Sequence, residues 1–140
     1  MVFETGYKYL ATPYLHKEER VMDFRAALAD AIAADLMTKR GVYVYSPISS
    51  WHHVAKKHSL PRDWEFWNGL DRQFIKVCSG IYVITLDGWK ESTGVTAEIG
   101  IAEEMGLPVS HIDPAPYLNG IKIPPEYEYK NGELVFNEER

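Results

Sequence analysis

The sequence predicts an α/β protein built on a doubly wound parallel sheet of about four to five strands. Three observations point there. Short β-branched and aromatic runs alternate with longer segments whose apolar residues recur at helical spacing. The joining segments are short and carry Pro, Gly, Ser and Thr. At 140 residues, 46% hydrophobic and 25% charged, the chain can bury one real core. Strands separated by helices pair in parallel through right-handed crossovers.

Tyr7–Ala11 is an apolar-aromatic strand stopped by Thr12-Pro13. Residues 21–37 carry Val21, Phe24, Leu28, Ile32 and Leu36 at helical spacing, and Gly41 ends that helix. Residues 42–45, VYVY, form a second strand closed by Ser46-Pro47. Residues 48–61 read as irregular, with room for a short helix. Residues 63–77 are a clear helix, with Trp64, Trp67, Phe74 and Ile75 on one side. Residues 81–86, IYVITL, are a strong β run. Residues 94–105 form a third clear helix, closed by Gly106 and Pro108, and 108–112 a fourth strand. Residues 1–113 are thus one α/β domain. In the tail, 114–140, Pro114, Pro116, Pro124 and Pro125 mark a wandering segment. A β-hairpin over 127–136 follows, turning at Asn131-Gly132, and Glu138-Glu139-Arg140 reads as a solvated end.

The net charge of −5 argues against a nucleic-acid polymer as partner, since phosphate backbones are held by Lys and Arg clusters. The single Cys78 excludes an internal disulfide and a cysteine zinc cage. No secretory h-region or transmembrane-length run is present, so a soluble cytoplasmic protein with no membrane partner is expected.

Two carboxylates are out of place. At ~100° per residue, Glu98 has Val95, Ile99 and Ala102 on one side and Ile101 and Met105 on the other. Asp71 sits likewise among Trp64, Ile75, Trp67, Phe74 and Cys78. Burying a carboxylate is costly unless it is paired, hydrogen-bonded or protonated. A buried Arg partner or a loop cap would explain either one alone. Both helices flank the strand 81–86, however, so both reach the same end of the sheet. A carboxylate pair is the basic equipment of glycosidic chemistry: one attacks an oxocarbenium-like carbon, the other moves the leaving group's proton.

Ligands of open parallel sheets bind beyond the carboxyl ends of the strands. Those ends hold Thr12-Pro13-Tyr14, Ser46-Pro47, Asp87-Gly88-Trp89 and Asp113. The loop 87–94, DGWKESTG, runs into a helix with Ser92 or Thr93 as N-cap. Open amides at Gly94 and Val95 would suit an anion, although a capped helix alone accounts for the pattern. Trp89 in this loop is the better base contact, whereas Trp64 and Trp67 read more simply as core. His52, His53 and His58 lack the spacing of a helical metal pair and read as a solvated loop flanked by Lys56 and Lys57. Cys78 reads as an inert buried thiol. No G-x-G-x-x-G follows the first strand and there is no P-loop, so a dinucleotide or NTP site is unsupported.

The runs YLATPY (residues 9–14), LDRQFI around Asp71 and STGVTAEIGIA (residues 92–102) resemble the nucleoside 2-deoxyribosyltransferase superfamily, above all its small bacterial and phage branch. The resemblance covers 7–113. It implies a Rossmann-like, flavodoxin-like fold and an N-glycosidase or deoxyribosyltransferase activity. It also implies Glu98 as nucleophile, Asp71 as proton donor to the base, and Tyr9 as the hydroxyl that holds Glu98. Tyr14 would contact the base. Transferases acting on free nucleosides carry an Asp six residues before the nucleophile; here that place is Ser92, as in the related nucleotide N-glycosidases. A hydroxyl at a helix N-terminus accepts a 5′-phosphate where a carboxylate would repel it. Those relatives also have a Gly-rich first loop, where this chain has Ala11-Thr12-Pro13. Arg20 and Arg25 are candidate phosphate partners, read more safely as a solvated helix face.

The expected substrate is therefore a (deoxy)nucleoside or its 5′-monophosphate. Thr12, Tyr14, Gly88, Trp89, Ser92 and Gly94 would bind it, with neither metal nor cofactor. The resemblance implies a homodimer or larger assembly, in which Tyr117, Tyr127 and Tyr129 of the tail would join an interface or a neighbour's pocket. The rival reading is a catalytically silent nucleotide-binding sensor on the same fold.

Overall fold

The computed structural model of the chain describes residues 2–131 and 133–137. Four strands, β1 (Tyr7–Ala11), β2 (Tyr43–Tyr45), β3 (Gly80–Ile84) and β4 (Val109–Ile112), form one sheet in the order β2-β1-β3-β4. All three pairings are parallel, with Tyr9 opposite Tyr45 and Ile81, and Val83 opposite His111. The helices are α1 (Glu19–Lys39), α2 (Pro47–His58), α3 (Trp64–Val77) and α4 (Thr93–Glu104). This is the expected doubly wound, Rossmann-like sheet. Strand order reverses direction between β1 and β3, the switch point where such sheets open a crevice.

Alternation along the strands builds two cores. Leu10 and Ile84 point to one face, where Val21, Phe24, Leu28, Ile32 and Leu36 of α1 cover them. Tyr9, Ala11, Ile81 and Val83 point to the other, against Ile75 of α3 and Val95, Ile101 and Ala102 of α4. The tail closes on the α1 face. After a 3-10 turn at Ala115–Tyr117 come the antiparallel strands β5 (Tyr127–Lys130) and β6 (Glu133–Phe136). Tyr127 and Leu134 bury themselves beside Phe24 in that core. Asn131 has the left-handed φ of 53° that a tight hairpin turn needs. Gly132 and the end at 138–140 lie outside the described residues.

One element departs from expectation. Residues 47–58 form a three-turn helix rather than irregular chain with a short helix. Ser46-Pro47 stops β2, but it also starts α2: the Ser46 hydroxyl accepts the Ser49 N–H, and Pro47 occupies the first turn, where its missing N–H is no loss. Ser59, with φ of 55°, ends it. Little of α2 is apolar core: its buried residues are Pro47, His52 and Ala55, so hydrophobic periodicity carries a weak signal there.

Candidate active site

Tyr9 lies in the middle of β1 and is fully buried on the α3–α4 side of the sheet. Its hydroxyl donates to Oε2 of Glu98 on α4. Asp71 reaches the same region from α3. Glu98 is 5% exposed and Asp71 6%, and neither has a cationic partner among the described residues. Burial pushes the Asp71 carboxyl from 3.8 up to about 6, with the Tyr9 hydroxyl pulling the other way. Burial also holds Glu98 well above the usual carboxylate range; the hydrogen bond from Tyr9 opposes this and the Asp71 charge adds to it. Asp71 Oδ1 is buried without a hydrogen-bond partner among the described residues. Two acids and a phenol thus share one desolvated spot at the carboxyl end of the sheet.

The two acids open into a cavity of about 340 Å³, with Tyr9 behind them, within the usual range for small-molecule sites. Thr12, Tyr14, Asp71, Gly88, Ser92, Gly94 and Glu98 line it. Helix geometry divides this cavity. Trp64, Trp67 and Asp71 follow one another down a face of α3, so an aromatic wall begins one turn from the acid. Trp51 of α2 extends that wall, its ring 5.7 Å from that of Trp67. Gly94 similarly precedes Glu98 by one turn of α4, so the start of that helix lies one turn from the carboxylate. A Cβ on Gly94 would sit 3.8 Å from the Trp64 ring, an ordinary contact distance, so the start of α4 lies against the Trp64 wall.

At the start of α4, Ser92 is the cap: its Oγ accepts the Val95 N–H at 3.2 Å. The expected Val95 anion contact is thereby corrected. That amide is taken, which leaves Thr93 and Gly94 as the open amides of the first turn, together with the Ser92 hydroxyl proton. Beside them Arg25 is 6% exposed. Its Nε donates to the Tyr127 hydroxyl at 2.9 Å and its Nη1 to the Leu15 carbonyl at 3.3 Å. No carboxylate lies within ion-pair distance of it among the described residues. The solvated-face reading of Arg25 is overturned: α1 buries this residue against Tyr127, Leu15 and Gly88. Arg20 does stay outside and pairs with Glu126.

Trp89 is a further correction, because it does not line the cavity. Gly88, with φ of +93°, turns the chain sharply, and the Trp89 N–H closes the turn onto the Leu86 carbonyl at 3.0 Å. The indole packs 5.2 Å from the His111 ring on β4 instead. Trp64 and Trp67, read as core, are half-buried and supply the wall. His52 is another correction. It is buried and lines the cavity, while His53 and His58 on the same helix are exposed. Arg62, unremarked in the sequence, also lines it and is held by both oxygens of Glu19 at 2.8 and 3.0 Å. Tyr127 of the tail belongs to its own chain's core, where it holds Arg25. Burial pushes the Cys78 thiol up to about 11, so it stays protonated.

A family model described as "Domain of unknown function (DUF1937)" matches residues 6–113. No curated protein matches the chain. Among the described residues, no helix is long and apolar enough to cross a membrane, and no group of three His, Cys, Asp or Glu side chains is placed to hold a metal ion.

Proposed function

We propose that this chain, which belongs to the DUF1937 family, cleaves the N-glycosidic bond of a (deoxy)nucleoside or its 5′-monophosphate. The carrying observation is the buried pair Glu98 and Asp71, gathered about the Tyr9 hydroxyl in a cavity with an aromatic wall. A glycosyl carbon between the two acids places the base toward Trp67 and Trp64 and the 5′ end toward the start of α4.

In the first step a Glu98 oxygen attacks C1′. The bond from C1′ to the base nitrogen breaks, its electron pair goes to the base, and protonated Asp71 supplies the base with a proton. A glycosyl ester on Glu98 results. In the second step water, or a nitrogen of another base, attacks C1′; Asp71 takes back the proton and the ester bond breaks to restore the Glu98 carboxylate. The step needs Glu98 charged and Asp71 protonated. Burial favours the neutral form of Glu98; the Tyr9 hydrogen bond opposes this, and the positive charge developing on the sugar draws the reaction through the charged form. Burial, by raising Asp71 to about 6, keeps a protonated fraction available near neutral pH.

Arg25 favours the monophosphate over the free nucleoside. A buried guanidinium with no carboxylate partner among the described residues is an arrangement that an anionic ligand would favour. It stands with the Ser92 hydroxyl and the open amides of α4, a set that suits a phosphate. The reading carries with it the homodimer or larger assembly that the resemblance implies, which sedimentation equilibrium checks.

The test is incubation with the common nucleosides and their 5′-monophosphates, followed by chromatography for free base. Release of base, abolished in a folded Glu98→Ala variant, is the expected result. Adding a second base separates transfer from hydrolysis. Tight nucleotide binding with no base released from any substrate would replace this reading with the sensor.

A further inference from the structure

The aromatic half of the cavity contains a hydrogen-bond chain that the glycosidic steps do not use. His52, 3% exposed on α2, is bonded through both ring nitrogens. Nε2 lies 2.8 Å from Asp23 Oδ1, and Nδ1 lies 2.6 Å from the Tyr14 hydroxyl. The same hydroxyl accepts from Nη1 of Arg62 at 3.2 Å. Each end is anchored: Glu19 grips Arg62 with both oxygens, and Lys56 donates to both oxygens of Asp23 at 3.0 and 2.9 Å.

Proton accounting fixes the polarity of this chain. Burial works against the Asp23 charge, but hydrogen bonds from Lys56 and His52 outweigh it and hold that carboxyl below its ordinary range. A carboxylate only accepts, so the proton between Asp23 and His52 is on Nε2. Lys56 already balances the Asp23 carboxylate and Glu19 balances Arg62, so a neutral ring leaves the chain without net charge. Nδ1 of the neutral ring is then an acceptor, and the hydroxyl proton of Tyr14 goes to it. With that proton committed and one lone pair facing Arg62, Tyr14 presents an acceptor to the cavity it lines.

We infer that Tyr14 is a specificity-determining residue that selects bases bearing an exocyclic amino group over their oxo counterparts. An amino group donates to the phenol oxygen. An oxo group at the same place sets two acceptors face to face in a desolvated pocket and leaves both unpaired, the kind of mismatch that discriminates most strongly. The choice of nucleobases as ligands rests on the glycosidic reading above; the polarity of Tyr14 does not.

The experiment compares adenine, unsubstituted purine and hypoxanthine 2′-deoxynucleoside 5′-monophosphates. Turnover is read as kcat/KM, and affinity by tryptophan quenching on both the active protein and the Glu98→Gln variant. Adenine is expected to exceed hypoxanthine by roughly tenfold or more, with unsubstituted purine between them. Tyr14→Phe should bring the ratio towards one. His52→Leu is the sharper variant: it removes the acceptor that holds the Tyr14 proton, while Asp23 keeps its Lys56 partner. The Tyr14 hydroxyl is then free to donate to the cavity. The preference should then shift toward hypoxanthine, which loss of packing alone would not produce. Turnover without an amino preference, or a preference unmoved by His52→Leu, overturns the inference and leaves the glycosidic reading intact. Amino-selective binding with no turnover upholds the inference and overturns that reading. Absence of binding by all three overturns the inference as well.

Discussion

Asp71 and Glu98 are held in the cavity at a cost to the fold, and the cost has a pH signature. Below about pH 3 the Asp71 proton is bound in folded and unfolded chains alike. As pH rises the unfolded chain releases it first, near 3.8, while the folded protein keeps it until about 6. Stability should fall across that interval and level off above it, by up to about 3 kcal/mol for this group. Asp71→Asn should therefore gain stability relative to the native protein at pH 8 and lose that gain at pH 4, as urea unfolding at the two pH values would show. The same variant should lose base release. Tyr9→Phe tests the shared hydroxyl. Its hydrogen bond favours the charged form of Glu98, so without it the acid limb of the pH–activity profile should move to higher pH. The fold should weaken by about 1–3 kcal/mol, since a buried carboxyl loses its donor. An unmoved limb would mean that Glu98 is not the ionising group. These residues were legible in the sequence because a charge on an apolar helix face is an anomaly in one dimension. Arg25 was not: an Arg near a helix start is ordinary until packing shows it buried against Tyr127 and Leu15.

At the scale of elements, α4 and α2 each enter through a serine cap, and each cap sits beside the site. Ser92→Ala should lower stability by about 1 kcal/mol through loss of the Val95 bond, and it should also raise KM for a 5′-monophosphate more than for the nucleoside. A stability loss with no change in that discrimination would confine Ser92 to capping. Three of the four long helices announced themselves through apolar spacing. The fourth, α2, did not, because its inner face carries His52 and Ala55 in place of large apolar residues. Its start signal was present in Ser46-Pro47, which serves equally well as a strand stop. The error mattered: as irregular chain, residues 48–61 gave no reason to separate His52 from His53 and His58, whereas one turn of helix puts the first inside and the others outside.

At the scale of the molecule, the tail is coupled to the cavity through one hydroxyl. Tyr127 lies in the α1-side core and accepts from Arg25, whose other edge lines the site. Tyr127→Phe should cost about 1 kcal/mol and weaken discrimination between monophosphate and nucleoside, without altering kcat for the nucleoside. Differential scanning calorimetry and paired kinetics on the two substrates check both halves. Arg25→Met should abolish that discrimination at a cost of only about 1 kcal/mol: the Tyr127 hydroxyl loses its donor, but a buried cation with no ion pair among the described residues is removed. A large loss of stability would assign Arg25 a purely structural role.

The sequence by itself determined the order of elements, the parallel sheet and the two carboxylates that reach its end. Those features follow from local periodicity and from topology rules that act on the order of strands and helices. Only the tertiary structure decided which side chains share the cavity with them. It brought in Trp64, Trp67, His52, Arg25 and Arg62 and turned Trp89 away, because the lining comes from loops and helix ends whose directions are set by contacts distant in sequence. Arg25 meets Tyr127, 102 residues on, and His52 meets Asp23, 29 residues back. Such partners leave no spacing to read along the chain; they come together only once α1, α2 and the tail have packed around the sheet.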